Sequence, residues 1–229
     1  MKIGALQKFS MIDYPGQLSA IIFTQGCNFR CPYCHNPELV KRELFVRPLP
    51  EKELFDFLKS RINKLDAVCI TGGEPTLHPD LPRLIAEIKQ LGFLVKLDTN
   101  GTNPTMLQML LEENLLDYVA MDIKAPLCEY KKVTRTEVEP DTLRRSIQLI
   151  ENSQVEYEFR STLVTTLHSE SDVKKMAKSL GPAKKYFLQK FVPTKTLDDS
   201  YLAETTLSDS TFQEIIHTMQ SEIEMVGVR

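Results

Sequence analysis

The sequence contains no apolar run of the roughly 18 residues that a membrane span requires. Its opening residues, Met1 to Lys8, lack the apolar stretch of a signal peptide, so a cytoplasmic protein is expected, without a membrane partner. A dominant charge is missing too. The 28 basic residues nearly balance the 31 acidic ones, for a net charge of -3, which leaves no broad basic footprint for nucleic acid. There is no internal repeat, low-complexity stretch or linker. With 42% hydrophobic and 26% charged residues, the 229 residues fit one globular domain, 1–229, rather than a disordered chain. Finally, the chain has only 5 cysteines, an odd number, and three of them crowd between Cys27 and Cys34. That is not the layout of a secreted disulfide scaffold, and in a reducing compartment the cluster reads first as a metal site.

What the sequence does have is alternation. Short β-rich runs, Leu18–Thr24, Ala67–Thr71, Phe93–Asp98, Tyr118–Ile123, Val155–Val164 and Tyr186–Val192, are separated by segments of helical period. The helices are expected over Pro50–Arg61, Pro79–Leu91, Pro104–Glu113, Asp141–Asn152, Ser171–Ser179 and Ser208–Val226. Leu81, Leu84, Ile85, Ile88 and Leu91 form one apolar stripe; Phe212, Ile215, Ile216, Met219, Ile223 and Val226 form another. Strands alternating with helices pair in parallel through right-handed crossovers, and six units are too few for a closed eight-fold barrel. The expected fold is therefore α/β, either a partial (β/α)6 barrel or a doubly wound sheet. Lys124–Val138 reads as an irregular excursion. The lysines at 174, 175, 178, 184 and 185 read as a solvated face.

The strongest signal is Cys27-Asn28-Phe29-Arg30-Cys31-Pro32-Tyr33-Cys34-His35, three thiols on one short loop. Such spacing lets thiolates converge on one inorganic centre. A four-iron cluster offers four corners, and three local cysteines leave one iron open to a substrate or cofactor. Two other readings stand beside it: a zinc knuckle completed by His35 or a distant ligand, and a redox pair of Cys31 and Cys34. Cys69 and Cys128 have no sequence partner and read as a buried apolar residue and a loop thiol.

The cysteine loop, with Thr71-Gly72-Gly73-Glu74-Pro75 downstream, resembles the radical S-adenosylmethionine enzymes. Ile12-Asp13-Tyr14-Pro15-Gly16, Leu97-Asp98-Thr99-Asn100-Gly101 and Met121-Asp122-Ile123-Lys124 narrow the resemblance to glycyl-radical-enzyme activating enzymes, most of all those of anaerobic ribonucleoside-triphosphate reductase. The motifs run from Asp13 to about Arg160. The resemblance implies a partial barrel of the radical SAM type in which Cys27, Cys31 and Cys34 hold a [4Fe-4S] cluster whose unique iron binds S-adenosylmethionine. Reductive cleavage would give methionine and a deoxyadenosyl radical, which takes a hydrogen from a glycine of a partner glycyl radical enzyme. The electron donor would be a flavodoxin or ferredoxin. It further implies that Tyr33 and His35 present groups to the adenine, that Gly72, Gly73 and Glu74 serve the ammonium, and that Lys124 and Arg160 offset the carboxylate. Asp98, Thr99 and Asp122 would supply oxygens to a monovalent cation.

These motifs also belong together on physical grounds, since in a parallel α/β array ligands collect at the C-terminal ends of strands. Two departures matter. Related activases carry a ribose-contacting histidine on the last strand, where this chain reads Leu188-Gln189-Lys190-Phe191, so that contact is unassigned. Auxiliary clusters would each need about four more cysteines than are present. The alternatives left open are an activase of pyruvate formate-lyase or a related enzyme, and a radical enzyme acting on a small molecule.

Overall fold

The computed structural model describes residues 1–229. The chain opens with β1, Ile3–Ser10, and turns back into β2, Ser19–Thr24. After two short pieces, helix α1 (Pro37–Val40) and a 3-10 turn, come α2 (Glu51–Lys59), β3 (Ala67–Gly72), α3 (Leu81–Gln90), β4 (Leu94–Thr99), α4 (Pro104–Glu112) and β5 (Tyr118–Asp122). Then follow α5 (Tyr130–Thr134), α6 (Pro140–Glu151), β6 (Glu156–Leu163), α7 (Glu170–Ser179), β7 (Lys185–Lys190), α8 (Asp209–Met219) and β8 (Met225–Val228). The strands form one sheet in chain order from β1 to β8. Only the β1–β2 pair is antiparallel. The outer strands do not pair with each other, so the barrel stays open.

The helices begin where local chemistry favours it. Proline stands in the first turn of α3, α4 and α6, Asn103 accepts the Met106 N–H at the start of α4, and Ser169 and Asp172 cap α7 reciprocally. Their apolar stripes, such as Leu81, Leu84, Ile85 and Ile88 of α3, cover Val68, Ile70, Val95, Leu97, Val119 and Met121 on the outer face of the sheet. The inner face is different. A small apolar group of Tyr14, Ile21, Ala67, Cys69 and Tyr118 fills its lower end, nearest the starts of the parallel strands.

Three expectations need correction. Two edge strands, β1 and β8, join the six expected ones, since an edge strand needs apolar residues only where it meets its single neighbour. Helix α8 stops at Met219; Ile223 lies in the following turn and Val226 in β8, so that stripe merged two elements. The excursion after β5 is not irregular throughout. It holds α5, whose Tyr130 is buried and whose hydroxyl accepts the Lys124 N–H at 3.1 Å. No helix is long and apolar enough to cross a membrane.

Candidate active site

The end of β2 delivers Thr24 to a turn at Gly26, whose φ of +102° suits a residue without Cβ. The cysteine loop that follows is clamped from several elements. Arg30 gives its N–H to Thr134, and its Nη1 meets the carbonyls of Cys27 and Phe29 at 2.8 and 2.7 Å. Thr136 Oγ1 donates to the Asn28 carbonyl, while the Asn28 side chain donates to Thr102 and accepts from Asn100. Phe29 packs edge-on against Tyr130. Burial pushes the thiol of Cys27 up to about 12, that of Cys31 up to about 11, and Cys34 in the same direction. Free thiols are therefore kept protonated here, and only a strong positive centre would convert them to thiolates.

Gly72 and Gly73 have a clearer reason than ligand access. A Cβ on Gly72 would lie 2.3 Å from the Thr24 nitrogen, and one on Gly73 2.0 Å from the Gly26 carbonyl oxygen. The Gly73 N–H donates to Thr24 and the Glu74 N–H to Gly26, both at 2.8 Å. With these donors used within the chain, the loop has carbonyls to offer a ligand, the polarity that an ammonium needs. The Gly73 carbonyl accepts no bond from the main chain. Glu74, 1% exposed, ties the site together: it accepts from the Thr76 N–H and hydroxyl, the Thr99 hydroxyl and the Asn100 N–H. Burial pushes its carboxyl up against these bonds.

Across the inner face runs a ladder of charge. Lys96 pairs with Asp98, Arg160 bridges Asp98 at 3.2 Å and Asp122 at 3.0 Å, and Lys124 pairs with Asp122 at 3.0 Å. Burial opposes every charge here, but Arg160 and its neighbours overcome it: Asp98 is held low and Asp122 falls to about 2. Lys124, likewise buried, is kept well above its usual value, chiefly by Asp122. Three cations face two carboxylates, which leaves the ladder with a positive excess.

A third wall is aromatic. Tyr33 meets His168 and Phe191 edge-on, and His35 stacks on Phe191 at 5.4 Å with a 9° angle. The buried Tyr33 hydroxyl and His35 Nε2 have no hydrogen-bond partner. Two orphaned polar atoms on one wall suit a polar ligand.

Cys27, Cys31, Cys34, Tyr33, His35, Gly72, Gly73, Glu74, Asp98, Asp122 and Lys124 all line one cavity of about 200 Å³, together with Thr99 and Asn100. Arg160 does not line it, because its guanidinium is taken by Asp98 and Asp122. That guanidinium also stands between the two carboxylates expected to share a small cation. Sequence reasoning missed Asn28 and Asn100, which join the cysteine loop to β4, and His168. The Val164 N–H donates to His168 Nδ1 at 3.0 Å, so Nε2 carries the proton and donates to the Lys124 carbonyl at 2.9 Å. A lone histidine in an unpatterned turn gives no signal in one sequence; the Asn-Gly turn at Asn100 gave one that reads equally well as a bare turn.

Comparison with known proteins agrees with this architecture. A Methanocaldococcus jannaschii protein, itself only provisionally assigned as a glycyl-radical enzyme activating enzyme, is 33% identical over 99% of this chain and 95% of its own length. A pyruvate formate-lyase-activating enzyme of Staphylococcus aureus is 39% identical over 42% of this chain and 40% of its own. Among solved structures, Streptococcus suis SuiB bound to S-adenosylmethionine superposes with a TM-score of 0.64 at 14% identity, over 91% of this chain and 49% of SuiB. TYW1 with a lysine-pyruvate adduct gives 0.62 at 15% identity, over 89% and 73%. The pattern of the Radical SAM superfamily matches residues 21–180, and with a sheet left open, a three-cysteine loop at its rim and a polar cavity beneath, the chain belongs to the radical SAM superfamily.

Proposed function

We propose that this protein activates a glycyl radical enzyme, with anaerobic ribonucleoside-triphosphate reductase as the partner. Cys27, Cys31 and Cys34 would hold a [4Fe-4S] cluster and the cavity beside it S-adenosylmethionine. When bound, the pair supplies one-electron cleavage of the cofactor to methionine and a deoxyadenosyl radical able to take a hydrogen from a partner glycine. The observation that carries this reading is the convergence of four separate sequence motifs on one cavity.

The chain's own residues have defined tasks. The Gly73 carbonyl, which accepts no main-chain bond, would receive an ammonium. Lys124 and the net positive ladder suit a carboxylate, with Arg160 acting through Asp98 and Asp122 to keep Lys124 and Lys96 in place. Tyr33 and His35 present unpaired polar atoms to an adenine edge. Glu74 joins the β3 turn to Thr99 and Asn100 of the next motif, so the walls keep one spacing.

The choice of the reductase rests on the motif resemblance, whereas coverage and ligand count support the broader activase reading. The chain matches 95% of the length of the archaeal relative and 40% of that of the pyruvate formate-lyase activase. Cys69 is buried on the inner face and Cys128 is exposed, far too few thiols for a second cluster. Electrons would come from a flavodoxin or ferredoxin in an oxygen-poor cytoplasm.

Anaerobic reconstitution with iron and sulfide, followed by electron paramagnetic resonance, tests the assignment. A reduced-cluster signal that changes on adding S-adenosylmethionine is expected, and a glycyl radical should then appear on the reductase. Consumption of a small molecule without any partner protein would defeat the activase reading.

A further inference from the structure

On the outer side of the cysteine loop lies a second cleft, about 470 Å³ in volume, which shares Cys27 with the candidate site. Its floor is the backbone of Gln25 and Gly26. The Gln25 N–H donates to the Lys2 carbonyl at 2.9 Å, the Gly26 N–H to Leu39 at 2.7 Å, and His78 Nε2 lies 3.1 Å from the Gln25 carbonyl. Lys2, Arg30 and Arg42 line the walls, and no carboxylate does.

None of these three cations enters an ion pair, and no acidic side chain lines the cleft to neutralise them. In the lysine-rich stretch near α7, Lys174, Lys175 and Lys185 each meet a glutamate, and Lys178 and Lys184 enter no ion pair. Arg30 commits Nη1 to the carbonyls of the cysteine loop and leaves the remainder of its fork outward. His78 adds no charge, because burial lowers its pKa. Beside the cleft Leu44, Val46 and Leu77 are 46, 54 and 43% exposed. Unpaired positive charge next to exposed apolar side chains is the composition of a protein interface with an acidic partner. It occurs on a chain whose net charge is -3, against the back of a loop that carries the first cysteine.

We propose that this cleft is the docking surface of an acidic one-electron carrier protein, and that electrons enter the site through the Gln25–Cys27 segment. The proposal rests on the reading of the site given above. One electron leaves the reduced carrier and one arrives at the cluster, with no bond made or broken and no proton moved.

The test uses the reconstituted protein and the double variant Lys2→Glu, Arg42→Glu, which leaves Arg30 and the cysteine loop untouched. Cluster reduction is followed with two donors: reduced flavodoxin, which must dock, and photoreduced deazaflavin, a small donor that needs no surface. At low salt the variant should be reduced by flavodoxin about tenfold or more slowly than the parent, while deazaflavin reduces both alike. Raising ionic strength should slow the parent towards the variant and leave the variant nearly unchanged. Equal flavodoxin rates in parent and variant overturn the proposal. So does a loss of the same size with deazaflavin, which would mean that the substitutions disturb the loop. A parent protein that deazaflavin itself cannot reduce defeats the reading of the site, an outcome separate from either.

Discussion

The two faces of the sheet are built on opposite principles. In β4, Val95 and Leu97 are fully buried under helices, while their neighbours Lys96 and Asp98 point to the inner face and join the charge ladder. The outer face gains from apolar area and can be filled in many ways. The inner face holds charges whose desolvation is offset only while each keeps its partners. One face stabilises the fold, and the other spends part of that stability to fix the positions of charged groups.

The comparison breaks most completely at the rim. Cys31→Ala should abolish the reduced-cluster resonance and lower bound iron, with little change in the far-ultraviolet circular dichroism of the metal-free chain; an intact resonance would overturn the ligand assignment. Next is the ladder. Arg160→Met leaves Asp98 and Asp122 short of a cation and should cost about 3–5 kcal/mol in denaturant unfolding, against about 2–5 for Leu97→Ala on the outer face. Leu97→Ala should leave the affinity for S-adenosylmethionine within a few-fold, whereas Arg160→Met should weaken it by more than tenfold in equilibrium dialysis.

The sign of the acid response sharpens the same contrast. Asp122 is depressed to about 2 in the folded state from an ordinary value near 3.8. Its stabilisation is therefore full above about pH 4 and is lost as pH falls through 2, worth roughly 2 kcal/mol. In Asp122→Asn the stability curve between pH 4 and pH 2 should be flatter, as read from urea midpoints. Cys128→Ala, at an exposed position, is expected to stay within about 0.5 kcal/mol and keep the resonance.

The outer face was the legible one. A parallel strand covered by helices reads as a short apolar run in β2, β3 and β5, and as apolar residues at alternate positions in β4, β6 and β7. Strands β1 and β8 give no such signal, because one is an edge with six of its eight residues partly or fully exposed and the other is four residues long. At the site, the types and order of Cys27 to His35, Gly72 to Glu74, Asp98 and Asp122 to Lys124 were readable one by one. Their mutual pairing was not: nothing in the sequence says that Arg160 would be held by two carboxylates rather than face the cavity, or that Lys2 and Arg42 would meet behind Cys27. Such relations depend on strand register, which is set by the whole sheet.

The clamps on the cysteine loop have one more consequence. Asn28, Asn100, Thr102, Thr134 and Thr136 hold the loop through bonds that involve no thiol. The ordering entropy of the ligand loop is thus settled when the chain folds rather than when iron arrives. A chain stripped of its iron by oxygen would keep a shaped socket, so repair becomes a matter of delivering iron and sulfide again rather than of making new protein.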